Sequence, residues 1–277
     1  MMSIITMMKD RNLINVLGIP MWLYLIWKGD LFYTLFILIC CVLALGEFYS
    51  IMEKKGAQPL RWFGMGATVF IADYYYIQPI ITPHQILGSI IFIILLILIL
   101  ELFSKNENST INLAATFSGI LYVPVLLGTA IDIRQYDLLM DTNLTFAIVL
   151  SVWACDSAAF IFGTLYGEKK IMPTISPKKS WVGSISGALA SIIVLYCFHY
   201  FRFLGEFFDL KDALVLGLIS GVFGQLGDFT ESLLKRDVGV KDSGTLLAGH
   251  GGVLDRFDSL IFACPITYIY IHFFMLY

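Results

Sequence analysis

The chain has 277 residues, of which 58% are hydrophobic and 14% charged, against about 25% charged in an ordinary soluble domain. One core of a domain this size could not hide so much apolar surface, which excludes a soluble globular fold and makes the bilayer the natural solvent. The formal net charge of −3 leaves no electrostatic footprint for a nucleic-acid partner.

Apolar runs near the roughly 20 residues that cross about 30 Å of hydrocarbon follow one another at 12–28, 31–50, 63–80, 86–103, 112–132, 144–166, 183–203, 212–234 and 257–277. The opening MMSIITMMKDRN lacks the charged, apolar, small-residue order of a cleaved signal peptide, so the first run is expected to remain a helix. The first and third runs are the weakest, because Pro20 lies inside one and Gly64 and Asp73 interrupt the other. The fold predicted is an all-α polytopic integral membrane protein of about nine transmembrane helices. With a cytosolic N-terminus and nine alternating spans, only Lys28, Arg134, Arg202 and Lys211 fall outside. The other 14 of 18 basic residues lie inside, as the positive-inside rule requires. The five cysteines all sit in apolar stretches, with no CxxC and no zinc spacing, so neither a disulfide framework nor a zinc site is expected.

Carboxylates in the second half break the apolar pattern. Asp156, Asp228 and Glu231 fall within predicted spans and Asp258 at the start of the last. Each costs at least about 2.5–3.5 kcal/mol at depth, so a cation, a basic partner or a water-filled cavity must offset it. Asp228, Glu231 and Lys235 are spaced i, i+3, i+7 on one helical face, beside Gly217, Gly221, Gly224 and Gly227, which permit close helix or ligand approach. Asp255 and Asp258 repeat the i, i+3 spacing. If the two pairs converge they build an oxygen-rich pocket suited to Mg²⁺. The competing reading is local ion pairing, Glu231 with Lys235 and Asp255 with Arg256.

Two polar segments flank these acids. KRDVGVKDSGTLLAGHGG offers Lys235, Arg236 and Lys241 to phosphate. Its Gly249, Gly251 and Gly252 let backbone N–H groups approach an anion, and His250 is a candidate donor. GEKKIMPTISPKKSWVG places Lys178 and Lys179 after the rigid Ser176-Pro177 turn, next to Trp181. That segment reads either as a clamp for a nucleotide or acidic headgroup or as an ordinary juxtamembrane basic loop.

Ser232-Leu-Leu-Lys235-Arg236, then Lys241-Asp242, then His250-Gly251-Gly252-Val-Leu-Asp255-Arg256-Phe-Asp258 resembles the signature of the phosphatidate cytidylyltransferases, the CDP-diacylglycerol synthases. Ser176-Pro177-Lys178-Lys179-Ser180-Trp181, Trp153-Ala-Cys155-Asp156 and Gly227-Asp228 with Glu231 resemble further motifs of that family. The likeness covers roughly 115–260. It divides a single membrane domain, 1–277, into variable N-terminal helices over 1–110 and catalytic helices with motif loops over 111–277. Ala248, Cys155 and Ser180 depart from the pattern, where Pro or Gly, Asn and Thr are usual.

The resemblance implies transfer of CMP from CTP to phosphatidic acid, with pyrophosphate leaving. It implies Mg²⁺, with a second cation such as K⁺, membrane lipids as partners, a homodimer, and a bacterial inner membrane with the active site facing the cytosol. It implies Asp228, Asp255 and Asp258 as metal ligands, and Lys241, Asp242, His250 and Arg256 as further catalytic groups. Asp156, Ser176, Lys178, Lys179, Lys235, Arg236, Gly251 and Gly252 fall to substrate. The rival readings are a CTP-dependent polyprenol kinase and a cation-coupled transporter, the latter disfavoured because the acids gather toward one side.

Overall fold

The computed structural model describes residues 18–77, 82–246 and 251–275. Among them every regular element is helical, an arrangement in which each membrane segment satisfies its own backbone hydrogen bonds. The described chain opens in α1 (18–28) and turns at Gly29 into α2 (Asp30–Glu53). Then follow α3 (Arg61–Ile77), α4 (Pro83–Phe103), α5 (Ser109–Ile120), α6 (Thr129–Met140), α7 (Leu144–Tyr166), α8 (Trp181–Tyr200), α9 (Leu210–Leu218), α10 (Gly224–Asp237) and α11 (Leu254–Phe274).

Seven described helical stretches are long and apolar enough to cross a membrane: α2, α4, α5 through α6, α7, α8, α9 through α10, and α11. This is a polytopic integral membrane architecture. Two of the seven are interrupted rather than straight. A π-helical turn, Leu121–Val125, joins α5 toward α6 and contains Pro124, whose missing N–H and ring bulk break the α pattern. A second π-turn, Ile219–Phe223, joins α9 to α10 in the glycine-rich stretch. Such wide turns are frequent at functional sites.

The direction of the chain alternates. Lys55, just past α2, pairs with Asp237 at the end of α10 at 2.7 Å. Asn112 in the first turn of α5 donates to Glu101 near the end of α4 at 2.9 Å. At the opposite end Asn143 donates to the Phe203 carbonyl at 2.9 Å, and Tyr270 donates to Asp212 at 2.7 Å. Segments 54–61, 103–109, 167–180, 237–246 and 251–254 therefore share one end of the bundle. Of the described basic residues, only Lys28, Arg134, Arg202 and Lys211 belong to the other. The core between the ends is built around the fully buried Tyr33, Ile37, Leu45, Tyr49, Ile131 and Ile148.

Candidate active site

The first half of the site comes from the α7–α8 connection. Trp181 N–H donates to the Lys169 carbonyl at 3.0 Å and Ile171 N–H to the Lys179 carbonyl at 3.2 Å. Lys170 and Ser180 thus face each other in an isolated antiparallel bridge. Within the loop Ser176 N–H donates to Met172 O at 2.9 Å, and Ser176 O accepts from Lys179 N–H at 3.3 Å. Ser180 caps α8, its hydroxyl accepting from Gly183 N–H at 3.2 Å. This closed loop holds Lys178 and Lys179 over the mouth of the α7–α8 groove.

A cavity of about 660 Å³ opens beneath it. Its polar wall is Asp156, Lys170, Lys178, Lys179, Gln225 and Asp228, and its apolar wall includes Ala159 and Phe160. Lys179 Nζ lies 2.5 Å from Asp228 Oδ2 and 4.1 Å from the centre of the Phe229 ring. Asp156 feels the charges of both Asp228 and Lys179. Asp258, on α11, feels those of Asp228, Glu231 and Asp156, and its Oδ1 accepts from Ser259 N–H at 2.6 Å. The two acid pairs approach each other, with Lys235 bridging Glu231 and Asp255 and Gly227, next to Asp228, abutting the Asp258 carbonyl. Gly227 makes this approach feasible, since a side chain there would run into the Asp258 carbonyl.

The second half lies around Lys235, which is buried. It pairs with Glu231 one turn earlier and with Asp255 Oδ1 at 2.6 Å. Asp255 also accepts from Gly252 N–H at 2.7 Å, from Ser243 N–H at 3.0 Å and from Ser243 Oγ at 3.1 Å. Gly251 has φ +81°, and a side chain on Gly252 would overlap Ser243 and Glu47. The two glycines thus wrap the loop around the chain's own carboxylates. The Glu231–Lys235 pairing expected from helical spacing is present, and it continues across to Asp255.

Arg236 donates from Nε to Ile175 O at 3.2 Å and from Nη1 to Val240 O at 2.6 Å, tying the two motif loops together. Lys241 and Asp242 are exposed just ahead of Ser243, and Arg256 is exposed on the first turn of α11. His250, with Ala248 and Gly249, lies outside the described residues. Cys155 is buried with its thiol toward the Gly221 carbonyl at 3.7 Å, in the packing of α7 against the second π-turn.

Two participants escaped the sequence reading. Gln225 lines the cavity and donates to Ser184 O at 3.0 Å and Gly221 O at 2.6 Å. Glu47, on α2, accepts from Ser243 Oγ at 2.8 Å and from Val253 and Leu254 N–H, each at 2.9 Å. Its signal was an acid inside the second apolar run, where the cost argument used for Asp156 and Asp228 applies equally.

Among the described residues no three carboxylate, imidazole or thiol groups come close enough to form a metal cage by themselves. The arrangement can gather polyanions under lysines while presenting hard oxygen ligands beside them.

The chain matches the Cytidylyltransferase family over residues 9–274. It is 33% identical over 264 residues to the phosphatidate cytidylyltransferase of Staphylococcus aureus (strain COL), covering 95% of this chain and 98% of that one. It is 32% identical over 262 residues to that of Staphylococcus epidermidis (strain ATCC 12228 / FDA PCI 1200), with the same coverage. The phosphatidate cytidylyltransferase of Staphylococcus saprophyticus is 33% identical over 267 residues, again covering 95% and 98%. With a matched span of nearly its full length, the chain belongs to the cytidylyltransferase family.

Proposed function

We propose that this protein transfers the cytidylyl group of CTP to phosphatidate, giving CDP-diacylglycerol and pyrophosphate. The observation that carries the reading is the cavity in which Lys170, Lys178 and Lys179 meet Asp156 and Asp228, next to an apolar wall that suits a lipid. A phosphate oxygen of phosphatidate forms a bond to the α-phosphorus of CTP, and the bridging oxygen to the β-phosphorus leaves with pyrophosphate. The protein's task is alignment of two anions and stabilisation of charge, with little covalent chemistry.

Lys178 and Lys179 neutralise nucleotide phosphates, with Ser176 shaping the turn that presents them. Asp156 orients groups at the cavity floor. Lys241, on the second motif loop, and Arg256, on the first turn of α11, neutralise the incoming polyanions, with Asp242 and His250 as further catalytic groups. Lys235 and Arg236 act on phosphate through the loops they hold, while Gly251 and Gly252 allow those loops to close.

Mg²⁺ takes one or two carboxylates and completes its shell with phosphate oxygens and water. An acid cluster with no all-protein cage fits that preference. One or two of Asp228, Asp255 and Asp258 would hold the ion. For Asp255 this means exchanging one of the donors that now surround its oxygens. The ion supplies charge neutralisation at the transferring and leaving oxygens. A second cation such as K⁺ belongs to the same proposal.

The end of the bundle rich in Lys and Arg is assigned to the cytosol, in a bacterial inner membrane. This puts the cavity on the side where CTP is found. Nine spans, a cytosolic N-terminus and a homodimer complete the reading.

The test is purified protein in detergent with dioleoyl phosphatidate, cytidine-labelled CTP and Mg²⁺. Label extracted into the lipid phase with an equal amount of pyrophosphate supports the reaction. Its absence from a folded sample, against EDTA and heat controls, rejects it.

A further inference from the structure

We infer that Glu47 is a positioning residue for the transfer, holding Ser243 and the start of α11, and through them Asp255, in register with the cavity. The inference rests on the reaction proposed above. Glu47 stands on α2, in the part of the chain where the motif resemblance is silent, yet both of its carboxylate oxygens are committed to the second motif loop. Oε1 accepts from Val253 N–H at 2.9 Å, and Oε2 accepts from Leu254 N–H at 2.9 Å and Ser243 Oγ at 2.8 Å.

Val253 and Leu254 begin α11. Their N–H groups have no acceptor within the helix, and the positive end of the helix favours a carboxylate. Glu47 therefore fixes where α11 starts, and Asp255 is the next residue along. Ser243 sits between the two acids, its hydroxyl 2.8 Å from Glu47 Oε2 and 3.1 Å from Asp255 Oδ2, so its single proton is shared between them. The packing leaves no slack. A side chain at Gly244 would stand 2.5 Å from Glu47 Oε1, and one at Gly252 would overlap Oε2. Glu47 does not line the cavity, so it acts through Ser243 and the start of α11.

The experiment compares the parent with Glu47→Gln, Ser243→Ala and the double variant. It records kcat and KM for CTP and phosphatidate, and hydrogen exchange of peptides spanning 243–254. Glutamine keeps the shape but turns an NH₂ toward groups that donate. The expected result is a kcat lower by about 10–100-fold with KM little changed, as for loss of reacting geometry rather than of binding. Exchange in 243–254 should rise while exchange in α6 and α7 stays at the parent level. The double variant should lose less than the product of the two single losses, since the two side chains share a contact.

A folded Glu47→Gln protein with parental kcat, parental exchange in 243–254, or losses that multiply in the double variant overturns the inference. If Glu47→Gln does not fold in detergent, Glu47→Asp keeps the charge, withdraws the carboxylate by one methylene, and is judged by the same outcomes. A parent that makes no CDP-diacylglycerol overturns the proposed reaction instead. The exchange comparison then decides the Glu47 inference alone.

Discussion

Lys179 Nζ lies 2.5 Å from Asp228 Oδ2 while resting over the Phe229 ring, so one lysine joins the α7–α8 loop to α10 at the cavity edge. A substrate phosphate entering there can share the lysine and release the aspartate toward a cation. Lys179→Ala removes the partner and leaves Asp228 facing Asp156 and Asp258. Hydrogen bonds to charged groups contribute about 1.5–3 kcal/mol, so kcat/KM for CTP should fall roughly 10–150-fold. Initial rates across a CTP series check this, with circular dichroism confirming a folded sample.

Asp228→Asn and Asp255→Asn should both lose transfer activity, but their stabilities should part. Asp228 is partly exposed to the cavity, so its variant keeps near-parental thermal unfolding. Asp255 is the cross-helix partner of buried Lys235, and removing one member of a buried pair costs about 3–5 kcal/mol. Asp255→Asn should therefore unfold at a clearly lower temperature in the same detergent.

The convergence of acids was legible in spacing: Asp228 with Glu231, and Asp255 with Asp258, each i, i+3 and each in or beside an apolar run. The partition of charge between the two ends was legible too, from loop composition alone. What spacing could not reveal was the wiring between distant segments. Lys235 is one helical turn from Glu231, which makes a local pair obvious, but its reach to Asp255 depends on how α10 meets α11. Glu47 is separated by about two hundred residues from the loop it holds, and no local pattern joins them. The π-turn at Leu121–Val125 was foreshadowed only by Pro124, and the one at Ile219–Phe223 lies in a run whose hydropathy looks uninterrupted.

Gly227→Ala should damage the site without touching a polar group. The added methyl would meet the Asp258 carbonyl and push α10 from α11. Overpacking of this kind costs about 1–3 kcal/mol. Thermal unfolding should shift down, and activity should fall further than stability alone explains, because Asp228 and Asp258 move apart. Gly239→Ala, where nothing lies within 4 Å but φ is +72°, separates backbone strain from helix separation and should leave most of the activity.

Arg236→Ala should loosen the two motif loops from each other, since its guanidinium bridges Ile175 O and Val240 O. The expected effect is a KM for CTP raised about 10-fold with a smaller change in kcat, the pattern of lost binding rather than lost chemistry. Lysine at this position cannot span both carbonyls with a planar fork, so Arg236→Lys should recover only part of the loss.

Chelation should abolish activity while leaving the fold intact, because the Lys235–Asp255 pair and the Glu47 contacts join the elements of the site through protein groups. EDTA-treated protein should unfold within about 2 °C of the untreated sample, well below the shift expected of a structural ion. Activity should return on titration with Mg²⁺.

The most direct measurement of the central claim uses CTP labelled on the α-phosphate in one sample and on the γ-phosphate in another, each incubated with phosphatidate, Mg²⁺ and purified protein. Cytidylyl transfer predicts α-label in the lipid phase and γ-label only in water-soluble pyrophosphate. Recovery of γ-label in lipid, with CDP as the soluble product, would contradict the account and point to a lipid kinase.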